Sequence, residues 1–213
     1  MNSISGLPLR FSGADAVAIF NRPRIFNLYG LLRWKIQIIE PTHTGKRTPP
    51  CAELLWMPAY AIRFASELRG KPSFVWASVD GCGGHVQILE DTRYIIPLDV
   101  EEETIEPVIG EDEAAALGRK GLLHYTLRER RLFKPIVKEV EEFRLFWYPV
   151  WVCYVPKRFK TRLDVLVLEA HSGRRAGSRL RIAVVNALIA QSKARKIPGE
   201  STPDATDVSP VSE

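Results

Sequence analysis

Apolar and polar positions divide the chain into stretches of strand period and stretches of helix period. Residues 52–64, AELLWMPAYAIRF, alternate from Tyr60 through Ile62 to Phe64, with Arg63 facing the other way, and so predict a strand. Pro58 has no N–H for a ladder, which places that strand at an edge or bulges it there. ELRGKPS reads as a hairpin loop, SFVWASVD (73–80) as the returning strand, and HVQILE (85–90) as a short further one. LLRWKIQIIE (31–40) is a strand, and PTHTGKRTPP (41–50) has no apolar face and is a loop.

Helical spacing predicts a short helix over 13–20, GADAVAIF, closed by Pro23. A longer one covers 111–133, with acids at its start and bases at its end, as the helix dipole favours. Gly118 and Gly121 weaken it by about 1 kcal/mol each relative to alanine. PIVKEVEEF, RLFWYPVWVCYV and LDVLVLEA follow as strands, with the basic loop PKRFKTR before the last. RLRIAVVNALIAQSKARK is an amphipathic helix stopped by Pro198-Gly199. Trp147 and Trp151 fall on one strand face and Tyr148 on the other.

The two long patterns resemble each other. Trp56-Met57-Pro58 and Trp147-Tyr148-Pro149 stand 91 residues apart, and each leads into an alternating strand, a basic polar loop, an apolar strand and a glycine turn. Strand propensity alone selects no such pair, so an internal duplication is expected. With one residue inserted in a hairpin, Gly81 falls opposite Gly173. The predicted architecture is α+β: two similar units, each a helix packed on a small antiparallel sheet, plus the C-terminal amphipathic helix. The units span 1–98 and 113–197, separated by an acidic linker at 99–112 and followed by a polar, disordered tail at 198–213.

Residues 111–178, in the order helix, short strand, long strand, loop, strand and ending LDVLVLEAHSGRRAG, resemble a PepSY-type unit. In that family the last strand runs into an acid or small residue and then Thr/Ser-Gly; here His171 stands in the acid's place. The resemblance implies a non-catalytic binding or regulatory module and transfers no catalytic residue. Members of that family are usually exported, and nothing in this sequence directs export.

Composition adds limits. At 213 residues, 46% hydrophobic and 26% charged, the chain can bury a sizeable core. Its most apolar stretch, Leu145 to Val155, is far short of the roughly 20 residues needed to cross a bilayer. The expectation is a cytoplasmic protein with no membrane insertion. Net charge +5 conceals segregation: Glu90 to Glu113 holds ten acids and one base, Arg144 to Lys196 twelve bases and two acids.

Cys82 and His85, in DGCGGH, are the candidate catalytic pair. Flanking glycines let backbone N–H groups approach a substrate, and a histidine can lower a thiol pKa. Cys51, Cys153, His43, His124 and His171 supply no second close pair, so no metal site and no cofactor is expected. HTGKRT lacks the upstream glycine of a phosphate loop, and GCGG opens no helix as a dinucleotide fingerprint does. Arg158, Lys160, Arg162, Arg174, Arg175 and Arg179 are the candidate binding residues, a basic set able to hold phosphates if gathered on one side. The functional expectation is a non-enzymatic binding or scaffolding protein, with a protein partner or self-association ahead of nucleic acid. A thiol or metal enzyme centred on Cys82 and His85 comes third.

Overall fold

The computed structural model describes residues 2–22, 35–39, 48–102, 104–128, 136–156 and 163–196. The predicted tail at 198–213 and most of the loop at 41–50 lie outside them. The elements in chain order are β1 (Asn2–Gly6), α1 (Gly13–Phe20), β2 (Gln37–Ile38), β3 (Cys51–Leu68), β4 (Lys71–Asp80), β5 (Val86–Leu89), β6 (Ile96–Val100), α2 (Glu111–Arg128), β7 (Ile136–Pro156), β8 (Leu163–Glu169) and α3 (Ser178–Lys196).

Two strands dominate. β3 has 18 residues and β7 has 21, and they pair antiparallel from Cys51↔Tyr154 to Glu67↔Ile136. β4 returns along β3 through a turn whose Arg69 and Gly70 have φ of 55° and 74°, and β8 returns along β7. β5 extends β4, and β1 links β7 to β6, with which it pairs antiparallel. Among the described residues the result is one mixed sheet of eight strands, parallel where β1 meets β7 and β2 meets β3.

This corrects the expected architecture of two units, each a helix on its own small antiparallel sheet. An isolated hairpin leaves a long open edge of unpaired N–H and C=O groups. Pairing β3 with β7 closes both long edges at once and fuses the two hairpins. The helices are also exchanged between halves. α2, from the second half, packs through Ala114 and Leu122 on Tyr60, Ile62, Phe64, Ala77 and Val79 of β3 and β4. α1, from the first half, packs through Ala16 and Phe20 on Trp151, Cys153 and Leu168 of β7 and β8, and on Ala52.

The two Trp-x-Pro motifs lie at the centre of this arrangement. Trp56 pairs with Pro149, Met57 with Tyr148 and Pro58 with Trp147, so a local two-fold axis passes between Met57 and Tyr148. Equivalent bonds recur around it. Gly81 N–H donates to Pro58 O and Ala170 N–H to Pro149 O, each at 2.9 Å. Tyr60 OH donates to Ile109 O at 2.6 Å, and Trp151 Nε1 to Phe11 O at 2.9 Å. These last two bonds tie each hairpin to the segment leading into the exchanged helix.

The axis corrects the alignment of the turns. Asp80 pairs with Ala59 and Glu169 with Val150, so the second hairpin is two residues shorter. Gly81 therefore matches Ala170, Cys82 matches His171, and Gly84 (φ 66°) matches Gly173 (φ 70°). Neither proline marks a sheet edge. The carbonyls of Pro58 and Pro149 accept from the first turn residue after β4 and β8, so their nitrogens face the gap where those strands stop and no ladder donor is lost. The register irregularities fall instead beside Phe64.

Strand alternation puts α1 and α2 on the same face of the sheet, over Ala52, Tyr60 and Ile62. α3 covers the other face, over Cys51, Leu55, Met57, Val150 and Val152, through Ala183, Val184 and Ala187. With both faces covered, β3 is buried almost throughout. Gly118 and Gly121 permit the close approach of α2: a Cβ at Gly118 would meet the Phe64 ring at 3.0 Å, and one at Gly121 would meet Val86 at 2.6 Å. Among the described residues, no helix is long and apolar enough to cross a membrane.

Candidate functional site

On the α3 face, beside the two-fold axis, the sheet is not fully covered. A cleft of about 200 Å³ opens between the first turn of α3, β5 and the turn after β8. Its apolar lining includes Leu7, Phe146 and Leu180, and its polar lining is drawn from both halves: Asp80, His85 and Gln87 from one, Tyr148, Glu169, His171, Ser172 and Arg179 from the other. The local two-fold explains the convergence. The ends of β4 and β8 are equivalent positions flanking one axis, so their acids and turn residues meet near it.

Most of these polar groups are engaged by the fold itself. Asp80 is buried, and its Oδ1 accepts from Cys82 N–H at 3.0 Å and from Gly83 N–H, while Oδ2 accepts from Tyr148 OH at 2.5 Å. Desolvation, then the adjacent Asp80 carboxylate and the bond to it, hold the Tyr148 hydroxyl well above its ordinary pKa, so it stays a donor. Ser172 Oγ donates to Glu169 Oε2 at 2.7 Å. His171 Nδ1 lies 3.0 Å from Pro8 O, a contact in which the Nδ1–H donates to the carbonyl.

The predicted pair Cys82 and His85 separates in role. Cys82 is 4% exposed and packs in the core beneath α3. Burial, then the charge of Asp80, pushes its thiol up to about 12, so little thiolate forms at neutral pH. His85 lines the cleft, and its backbone carbonyl accepts from Asp80 N–H. The glycines serve contact as well as turning: a Cβ at Gly83 would meet Ala183 of α3 at 2.9 Å, and one at Gly84 would meet Leu117 of α2. No three potential metal ligands gather among the described residues.

The basic candidates do not form one patch among the described residues. Arg158, Lys160 and Arg162 lie outside them. Arg175 reaches across to the end of α1, where its guanidinium donates to Ile19 O, to Phe20 O at 3.1 Å and to Arg22 O at 3.4 Å. That is a C-terminal cap, favourable to the helix dipole. Arg181 pairs with Asp164 at 2.7 Å. Arg174 is exposed at the turn, and Arg179 enters the cleft lining.

Sequence reasoning missed Asp80, Tyr148 and Glu169 as site residues. The signal that was available is the shared position of Asp80 and Glu169 at the ends of the two apolar return strands. Comparison with protein-family models, with curated proteins and with solved structures gave no match.

Proposed function

We propose that this chain is a non-enzymatic binding protein of the cytoplasm whose ligand occupies the cleft on the two-fold axis. The cleft is the observation that carries the reading: both halves contribute polar groups to one concave, partly apolar site, the usual composition of a ligand pocket. The groups that catalysis would use are occupied otherwise. The Cys82 thiol is buried and protonated, Ser172 bonds to a carboxylate rather than to a histidine, and Tyr148 is held by Asp80. The likeness of residues 111–178 to a PepSY-type unit points the same way, toward binding or regulation. The buried thiols of Cys82 and Cys153, outside any disulfide, suit a reducing compartment.

The test blocks the cleft without touching the core. Gln87 is an exposed rim residue on a short strand, and Gln87→Trp would lay an indole into the opening. Wild-type protein screened by thermal shift against a metabolite library should bind a small ligand that the variant does not. A ligand bound equally by both proteins would place the site elsewhere, and a turnover abolished by His85→Ala would make the protein an enzyme.

A second reading, self-association, is favoured by α3. Opposite its buried Ala183, Val184 and Ala187, the helix exposes Ile182, Val185 and Ile189 at 56%, 38% and 49%. A helix apolar on two faces is normally covered on both. α3 contains no acid, whereas Glu101, Glu106, Glu111, Asp112 and Glu113 are exposed on the acidic stretch, so a second copy offers a complementary surface. Sedimentation should show a salt-sensitive dimer that Ile182→Glu with Ile189→Glu dissociates. A wild-type monomer at every concentration would end this reading.

A further inference from the structure

The cleft's chemistry narrows the class of ligand. Of its polar groups, Asp80, Tyr148, Ser172 and one nitrogen of His171 bond within the protein. Two groups of opposite charge remain available: the second carboxylate oxygen of Glu169 and the guanidinium of Arg179. Both line the same small space, yet among the described residues they are not an ion pair. Leu7, Phe146 and Leu180 line the same cleft and give it an apolar surface. A ligand that satisfies this set carries an anionic end, a cationic donor and an apolar body.

Size adds a limit. At about 200 Å³ the cleft is smaller than the roughly 300–1,000 Å³ of pockets for drug-sized ligands. That space fits one amino-acid-sized molecule. We propose that the cleft binds an α-amino acid with an apolar side chain, its carboxylate on Arg179, its ammonium on Glu169 and its side chain on Leu7, Phe146 and Leu180. A guanidinium fork matches a carboxylate, and a carboxylate takes a charge-assisted bond from an ammonium. A ligand that carries both charges pairs with the exposed Arg179 and the half-buried Glu169 at once, where a simple anion or cation would pair with only one of them. The assignment rests on the cleft being the binding site.

The same α-amino acid chemistry has two sources, a free amino acid and the end of a peptide, and the experiment separates them. L-leucine, L-phenylalanine, N-acetyl-leucine, leucinamide and Leu-Leu are titrated calorimetrically into wild type, Glu169→Gln, Arg179→Gln and Gln87→Trp. Circular dichroism and urea midpoints confirm that each variant is folded. Free leucine or phenylalanine should bind wild type, and the blocked analogues should bind at least about tenfold more weakly, the loss expected for one charged hydrogen bond. Glu169→Gln should lower leucine affinity by a similar factor while leaving N-acetyl-leucine, which has no ammonium, unchanged. Arg179→Gln should do the same relative to leucinamide. Leu-Leu binding as tightly as leucine would assign the source to peptide ends, with the same two charges in use.

The assignment is overturned if a blocked analogue binds as well as leucine, or if neither charge variant alters leucine affinity. It is equally overturned if no probe binds at millimolar concentration. If no probe binds but a different library compound does, and Gln87→Trp abolishes that binding, the amino-acid assignment fails while the cleft survives. If nothing in the library binds either, both fail.

Discussion

Asp80 and Glu169 occupy equivalent places at the ends of β4 and β8, and the structure gives them unequal weight. Asp80→Ala removes the acceptor of three donors: the Cys82 and Gly83 amides and the Tyr148 hydroxyl. Asp80 is buried, so those donors lose a charged partner in a site that water enters poorly. A buried donor left unsatisfied costs about 1–3 kcal/mol. Allowing for partial relaxation and non-additivity, Asp80→Ala should cost about 3–5 kcal/mol. Glu169→Ala frees only Ser172, an exposed hydroxyl that water can serve, and should cost under about 1 kcal/mol. The assay is equilibrium urea unfolding followed by tryptophan fluorescence, with the m-value checked for constancy across variants. Tyr148→Phe supplies a second point: it deletes one of the three bonds and should cost about 1–2 kcal/mol. If Asp80→Ala and Glu169→Ala shift stability equally, the reasoning that Asp80 organises the turn and the two-fold axis is refuted.

The other expectations concern the thiols, a helix glycine and the basic residues. Burial raises the Cys82 and Cys153 thiols to about 12, so in the folded state both keep their protons where the unfolded chain, near 9, releases them. The unfolded state then binds fewer protons, so stability should fall as pH rises above about 9, by up to about 1.4 kcal/mol per pH unit for each thiol; denaturation midpoints from pH 7 to 11 measure it. For the same reason Cys82 should resist iodoacetamide in the native state at pH 8 and react only on unfolding, as peptide mass mapping would show. Gly121→Ala should lower Tm although alanine is the better helix former, because its Cβ would lie 2.6 Å from Val86; Gly177→Ala, with nothing within 4 Å, should not. Arg175→Met should destabilise by about 1–2 kcal/mol through loss of the α1 cap. Arg174→Gln should leave stability unchanged, and if the chain binds nucleic acid this variant should weaken salt-dependent retention on it.

Local pattern was legible where local forces decide. GADAVAIF becomes α1 over its predicted residues, with Ser12 and Asp15 forming a capping box. The hairpin turn at Arg69-Gly70, the return strand β4 and the short β5 lie where alternation and the glycine placed them. The start of α2 follows from its acids, and the opposite faces of Trp147 and Tyr148 follow from strand period. Even the Trp-x-Pro repeat was visible as spacing.

What spacing cannot carry is which surfaces meet. The sequence by itself determined most of the helices and hairpin strands, the spacing of the two Trp-x-Pro motifs and the separation of acidic from basic stretches, but not β1, β6 or the continuity of β7. Only tertiary structure decided that the two Trp-x-Pro motifs pair with each other across a local two-fold, that each helix lies on the hairpin of the other half, and that α3 covers the second face. Strand pairing is set by closing open edges and burying both faces, contacts between residues some ninety positions apart that no window along the chain contains. The site shares that origin. Cys82 and His85 stood out by composition, yet burial removed the thiol to the core, while Glu169, ordinary in sequence, and Arg179, noticed only as one of a basic set, reach the cleft because the axis brings the end of β8 and the first turn of α3 beside it.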